Sequence, residues 1–223
     1  MKFEKTEVWG FEHAIRGMRN PLESWNKSDS KWETHINYNK YNVYTKFAIG
    51  KNDLRLAHAL IKAGSEHRKF LRQIFVSVDI TAPLYWWKEF DTYKVGTVSN
   101  STSTMHKLAN TPITIDCFEM DDFEDCKDNS NVYVSAIWIE SITRLENLRQ
   151  TYNATKDKRY WKELIRLLPE SWLQKRTITM NYENILNMYQ QRKNHKLTEW
   201  SKSFCDWVKT LCYSKELIVG EST

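Results

Sequence analysis

The sequence predicts an α+β fold for its 223 residues, with an antiparallel or mixed sheet packed against several helices. The apolar alternation at 74–80 is typical of a half-buried strand, and several later segments have the periodicity of amphipathic helices. Neither an internal repeat nor a low-complexity linker divides the chain. We therefore expect one domain covering 1–223.

The first helix is predicted from the stretch LRLAHALIKAG. Asn52-Asp53 precedes it as a capping pair, and Gly64 follows it as a stop. The helix is predicted to be amphipathic, with Leu54, Ala57, His58 and Ile61 on one face.

The strand comes next, with Ile74, Val76, Val78 and Ile80 on its buried face. Thr81 and Pro83 are then expected to begin an aromatic helix that ends at Gly96. Trp86 and Phe90 fall one turn apart along it.

The remaining elements are predicted to be mostly helical. An acidic surface loop is expected at 116–131. Helices are predicted at 134–152, 157–168, 182–192 and 196–213. The apolar stripe of the last helix is expected in the core or at an interface and comprises Leu197, Trp200, Phe204, Trp207 and Leu211.

Composition narrows the classes of function. The net charge is +5, but basic and acidic residues are interspersed, so a compact anionic ligand fits this balance and nucleic acid is not expected. The four cysteines lack CxxC spacing and are expected to be reduced thiols, with no metal site. Without a long apolar run or a signal peptide, we expect no membrane association and a cytoplasmic location.

Self-contained catalytic motifs are missing: the sequence has no nucleophile elbow, HExxH, Walker loop or GxGxxG. The penultimate helix has Asn181 as a candidate cap and carries Asn187 and Arg192. An amide and a guanidinium suit a nucleotide. In the alternative interpretation, which residue types alone favour, the asparagines cap or face water and Arg192 pairs with Glu199 or another carboxylate.

A resemblance to a known family favours the nucleotide site over this alternative. The chain carries, in order, Leu168-Pro169, Asn181, Asn187, Arg192, His195 and Glu199. This run resembles the C-terminal signature of the flavin-dependent thymidylate synthase (ThyX) family. The resemblance implies that Asn181, Asn187 and His195 approach FAD. It also implies that Arg192 lies between the flavin and a pyrimidine nucleotide, and that Arg166 is near the nucleotide.

The family's central motif, Arg-His-Arg-x-x-Ser-x-Asn-Glu-x-Ser-x-Arg, aligns less faithfully with 92–104. Lys94, Thr97 and Thr102 keep the chemical type of the motif residue. By this resemblance Lys94 and Thr97 are expected at the flavin. The expected nucleotide contacts are Ser99, Asn100, Thr102 and, as a compensating cation, Lys88. A one-residue gap would instead align Asn100 with the motif asparagine.

Other positions depart from the family. Thr92-Tyr93 replaces an Arg-His pair, Asn100 replaces a glutamate, and Thr104 replaces a phosphate-binding arginine. Glu183 stands at the arginine of the family's Asn-x-Arg turn. The family's Pro-Phe-Glu-His appears as Phe70 to Gln73. The resemblance covers 53–213, and 1–50 is a divergent N-terminal segment.

Three functions compete. The first is a divergent flavin-dependent thymidylate synthase-like enzyme that binds FAD and a pyrimidine nucleotide, with reductive methylation of dUMP or a related nucleotide. NADPH and methylenetetrahydrofolate would then be further ligands. The second keeps the pocket but only binds or sequesters a nucleotide or nucleotide-derived signal. The third is a purely structural homo-oligomer. The family resemblance also implies a homotetramer.

Overall fold

A computed structural model describes residues 1–37 and 42–220 and confirms the α+β class. Residues 38–41, within the predicted N-terminal segment 1–50, and 221–223 lie outside this description. The strands are β1 Lys2–Trp9, β2 Lys31–Asn37, β3 Asn42–Ala48, β4 Phe75–Pro83, β5 Val98–Ser101 and β6 Leu173–Asn181. The helices are α1 Phe11–Met18, α2 Lys51–Ala63, α3 Leu84–Phe90, α4 Thr104–Lys107, α5 Val134–Thr155, α6 Lys158–Arg166, α7 Tyr182–Arg192 and α8 Cys205–Lys209.

Strands form two sheets. One has four strands in the order β1-β4-β6-β5, and the other is the antiparallel hairpin β2-β3. Ser77 hydrogen bonds to Thr179, and Thr177 donates to Asp79. Because the partner number falls as the residue number rises, β4 and β6 are antiparallel.

The chain contacts divide the protein into two compact units. The first comprises Met1–Glu4, Asp79–Thr92 and Ser99–Thr177. Within it α5 and α6 pack together. Its core cluster consists of Leu108, Ile113, Phe118, Leu145, Leu164 and Trp172.

The second unit comprises the described parts of Lys5–Val78, Tyr93–Val98 and Ile178–Thr223. Helix α7 is central to it, since α7 contacts the 3-10 segment Arg68–Gln73, the π-helical segment Glu199–Phe204 and α8. The fully buried large side chains of this unit include Ile15, Leu71, Ile74, Tyr182, Trp200 and Phe204.

Several predicted elements are confirmed. Ile74, Val76, Val78 and Ile80 are all buried, as the alternation predicted. Helices α5 and α6 match the predictions at 134–152 and 157–168, with Asp157 capping α6. The prediction of 182–192 coincides with α7.

Three predictions need correction. The helix α2 begins at Lys51, so its N-cap is Gly50, and Asn52 and Asp53 lie inside the first turn. The Asp53 carboxylate is buried, where it binds Arg19 at 2.5 Å and accepts from Ser28 and Ser30. His58 is exposed, since the buried side of α2 is formed around Asp53 and Ala57.

The aromatic helix is shorter than predicted. Strand β4 continues through Pro83, and α3 ends at Phe90. Gly96 lies in a turn after the helix, where it adopts a positive φ of +76°.

The predicted helix at 196–213 is interrupted. A π-helical segment at Glu199–Phe204 precedes the short helix α8. Trp200 and Phe204, both in this π-helical segment, are fully buried. Four of the five stripe residues are buried, so this stripe belongs to the core.

Within the described residues, no helix combines the length and apolarity needed to cross a bilayer. In the same part of the chain, His, Cys, Asp and Glu form no cluster suited to a metal ion. All four cysteines are free thiols.

Candidate functional site

Helix α7 begins at a well-defined cap. The Asn181 side chain accepts from the Asn184 backbone N–H at 3.0 Å, and the Asn184 side chain accepts from the Asn181 N–H at 3.2 Å. This reciprocal pair satisfies two of the amide groups that a helix start leaves without intrahelical partners. The predicted Asn181 cap is therefore confirmed, and its amide is held rigidly where β6 ends.

The turn that carries Lys94 and Thr97 lies against this cap. Asn184 Nδ2 donates to the Val95 carbonyl at 2.7 Å. Gly96 approaches so closely that a Cβ there would be 2.9 Å from Asn181 Nδ2. Thr97 Oγ1 donates to the Tyr93 carbonyl at 2.7 Å, which closes the turn. The structure therefore brings Lys94, Thr97 and Asn181 into one neighbourhood.

Arg192 lies between two aromatic rings near the end of α7. Its guanidinium carbon is 5.6 Å from the Tyr93 ring centroid and 4.9 Å from that of Trp200. Arg192 Nε also donates to the Tyr93 hydroxyl at 2.9 Å, and this hydroxyl donates to Gln191 Oε1. The cation–π contacts and the hydrogen bond to Tyr93 orient the plane of the half-buried guanidinium.

A different side of α7 faces the 3-10 segment Arg68–Gln73. Arg68 Nε donates to Glu183 at 3.2 Å, and Arg72 also forms an ion pair with Glu183. Burial would raise the pKa of Glu183, but hydrogen bonds from Arg72 and Arg68 hold it below its ordinary value. The carboxylate is thus charged and neutralised inside the protein.

Asn187 follows Glu183 by one helical turn. Arg68 Nη2 donates to its Oδ1 at 2.9 Å. Asn187 and Arg192 are about 140° apart around the helix axis. The structure does not bring these two predicted residues together, because Asn187 contacts Arg68 and Arg192 contacts Tyr93.

His195 follows α7 directly. Its Nδ1 accepts from the Leu197 backbone N–H at 3.2 Å. In the neutral imidazole this bond places the proton on Nε2.

The other predicted residues belong to the first unit. Lys88 pairs with Glu170 at 2.6 Å, and Arg166 pairs with Glu163. The Thr102 backbone N–H donates to the Lys175 carbonyl at 2.9 Å. Ser99 and Asn100 are exposed on β5. Both predicted cations of this unit are therefore already paired with carboxylates.

Sequence reasoning missed three residues that shape the site around α7: Tyr93 and Trp200 as partners of Arg192, and Arg68 as a partner of Asn187. The two rings were visible only as core or motif positions. For Arg68 the available signal was the basic run Arg68-Lys69 with Arg72 four residues later. Such a run indicates a cationic face but not the distant acid that it contacts.

The site can offer mainly hydrogen-bond donors. Lys94 and Arg192 are cations, and the Asn181 and Asn187 amides each use their oxygen within the protein. The acidic Glu183 is matched by two arginines. This donor-rich chemistry suits an anionic ligand or one rich in carbonyl groups.

Comparison with known proteins gives a structural likeness only. No protein-family model matches the chain, and no curated protein matches it. Two solved structures of the flavin-dependent thymidylate synthase ThyX from Helicobacter pylori, both with FAD and dUMP, are similar to it. One has a TM-score of 0.66 and covers 98% of this chain and 98% of its own. The other has a TM-score of 0.69 and covers 98% and 97%, respectively. Both are 16% identical to this chain, which therefore has a ThyX-like fold.

Proposed function

We propose that this chain is a divergent flavin-dependent thymidylate synthase-like protein that binds FAD and a pyrimidine nucleotide. The observation that carries the proposal is the orientation of Arg192, fixed between Tyr93 and Trp200 in a ThyX-like fold. A guanidinium whose plane is already set loses little freedom when it binds a phosphate or a pair of carbonyl groups.

The available donors fit both groups chemically. Lys94, the side-chain amides of Asn181 and Asn187 and the His195 imidazole would hold the flavin, with Thr97 supplying a hydroxyl. Arg192 would serve the nucleotide. Within the first unit, the residues proposed for the nucleotide are Arg166, Lys88, Ser99, Asn100 and Thr102. A bound flavin would supply the redox chemistry, while NADPH and methylenetetrahydrofolate would supply electrons and the one-carbon unit. The protein's own part is to position ligands and to stabilise charge.

A second function is favoured by one specific observation. Thr92 and Thr104 stand at motif arginines, while Lys88 and Arg166 are paired with Glu170 and Glu163. Each arginine lost removes a charge-assisted contact of about 1.5–3 kcal/mol. These losses support a protein that binds or sequesters a nucleotide without performing reductive methylation.

Mass spectrometry of small molecules released from the purified protein tests binding, and NADPH oxidation tests catalysis. The enzyme should release FAD and oxidise NADPH when methylenetetrahydrofolate and dUMP are present. The binding protein should release or bind a nucleotide without oxidising NADPH. Absence of FAD and of any pyrimidine nucleotide, together with no binding of either when added, would exclude both functions.

The proposal includes a cytoplasmic homotetramer. Gel filtration with light scattering should give about four times the chain mass of 26.7 kDa. A monomer would contradict this part of the proposal.

A further inference from the structure

Arg68 makes two contacts along the same side of α7. Its Nε binds Glu183 at 3.2 Å, and its Nη2 binds the Asn187 side-chain oxygen at 2.9 Å. The Arg68 side chain is only 19% exposed, so its position is well constrained. Arg72 shares the contact with Glu183 but makes none with Asn187.

These contacts determine which way the Asn187 amide points. Arginine carries only donors, so the atom that faces Arg68 must be the amide oxygen. The NH₂ group of Asn187 is then directed away from Arg68. Among the residues that the structure describes, none accepts a hydrogen bond from this group, and the side chain is only half-buried.

We infer that Arg68 is a positioning residue that makes Asn187 a hydrogen-bond donor toward the ligand. The inference rests on the proposed function and narrows it. The NH₂ group offers the ligand a donor, which pairs with a carbonyl oxygen or an unprotonated ring nitrogen of a flat heterocycle. The Asn187 oxygen is directed toward Arg68, which already holds one of its two lone pairs.

An isoalloxazine and a pyrimidine both present such acceptors. Calorimetric titrations with FAD alone and with dUMP alone therefore distinguish the two sources. If substitution of Asn187 lowers the affinity for one of these ligands and leaves the other unchanged, the affected ligand is the one whose heterocycle lies at Asn187.

The sharpest substitution is Asn187→Asp. It keeps the shape and still offers Arg68 an oxygen, so folding should be preserved. It replaces the donor with a second acceptor, and affinity for the contacted heterocycle should fall at least about tenfold. Thermal unfolding monitored in parallel should show a Tm within a few degrees of the wild type.

A double-mutant cycle separates positioning from a general structural effect. Arg68→Met and Arg72→Met each remove one arginine from Glu183, but only Arg68→Met releases the amide. Arg68→Met should weaken binding about fivefold or more, whereas Arg72→Met should change it by less than about twofold. In an Asn187→Ala background, Arg68→Met should cause little further loss, since its effect acts through Asn187.

Two outcomes would overturn the inference but leave the proposed function intact. In the first, Asn187→Asp binds both FAD and dUMP with wild-type affinity. In the second, Arg68→Met lowers the affinity by the same factor in the wild-type and in the Asn187→Ala background. If the wild type binds neither FAD nor dUMP, the proposed function fails first and the inference falls with it.

Discussion

Arg72 and Glu183 form an ion pair whose charges are reversed relative to the family pattern that the sequence resembles. That pattern has a glutamate at the position of Arg72 and an arginine at the position of Glu183. Each residue taken alone is a departure from the family. In the structure the two departures form a single ion pair with each other.

Removing the acid should therefore be costly. Glu183→Gln leaves Arg68 and Arg72 without their shared carboxylate, and the Glu183 side chain is only 10% exposed. Because Arg72 is half-exposed, we expect a loss of about 2 kcal/mol in the free energy of unfolding, below the range for fully buried pairs. Urea unfolding measures this loss. The control Glu163→Gln breaks an exposed pair with Arg166 and should cost less than about 1 kcal/mol. Equal costs would contradict the assigned role of Glu183.

Gly96 offers a matched test of the turn at the α7 cap. Gly96→Ala should destabilise the protein more than Gly220→Ala, although both glycines have similar positive φ, +76° and +83°. Only at Gly96 does the added Cβ meet the Asn181 amide, whereas nothing lies within 4 Å at Gly220. The expected difference in unfolding free energy is about 1–2 kcal/mol. Indistinguishable unfolding curves for the two variants would show that the turn does not press on the cap.

Acid should weaken the first unit through Glu146. Hydrogen bonds from Arg149, which outweigh the effect of burial, lower the pKa of Glu146 to about 2. Since the folded pKa is depressed, this stabilisation is complete above the unfolded pKa of about 4.3 and is lost as pH falls toward 2. Glu146→Gln should cost about 2 kcal/mol at pH 6 and less than half of that at pH 3. A pH-independent difference between variant and wild type in urea unfolding would refute this assignment.

The role of Arg192 is tested by comparing it with its neighbour at the end of α7. Arg192→Ala should weaken dUMP binding by about 2 kcal/mol, roughly thirtyfold, because an oriented charged donor is lost. Lys193→Ala removes an adjacent exposed charge that contacts Gln190, and it should have little effect. Calorimetry at fixed ionic strength decides between a specific contact and a general loss of positive charge. Equal losses of dUMP affinity in the two variants would indicate a general effect of positive charge and would contradict a specific role of Arg192.

Much of the fold follows from local sequence signals. The strand near Ile74–Ile80 and helices α5 to α7 have clear periodicity, and the Asn181 cap is a short-range motif. Strand β1 gives a weaker signal because most of its residues are exposed on both faces. The hairpin β2-β3 does alternate, with Trp32, Thr34 and Ile36 on one face, and this pattern could have predicted it.

The partners around α7 could not be predicted in the same way. Arg68 and Asn187 are 119 residues apart in the chain, and Tyr93 and Arg192 are 99 apart. No local periodicity encodes such contacts, which arise from the packing of the second unit. The motif resemblance singled out Arg192 and Asn187 as candidate site residues, but it gave no indication of the side chains that orient them.

Flavin retention tests the proposed function most directly. The purified protein is incubated with excess FAD, separated from free flavin by gel filtration and scanned for visible absorbance. The proposed function predicts that the protein fraction carries the flavin bands at about one FAD per chain, and that Asn187→Asp or Arg192→Ala perturbs FAD or dUMP binding. A colourless protein fraction, with or without dUMP, would contradict the claim that this chain holds a flavin.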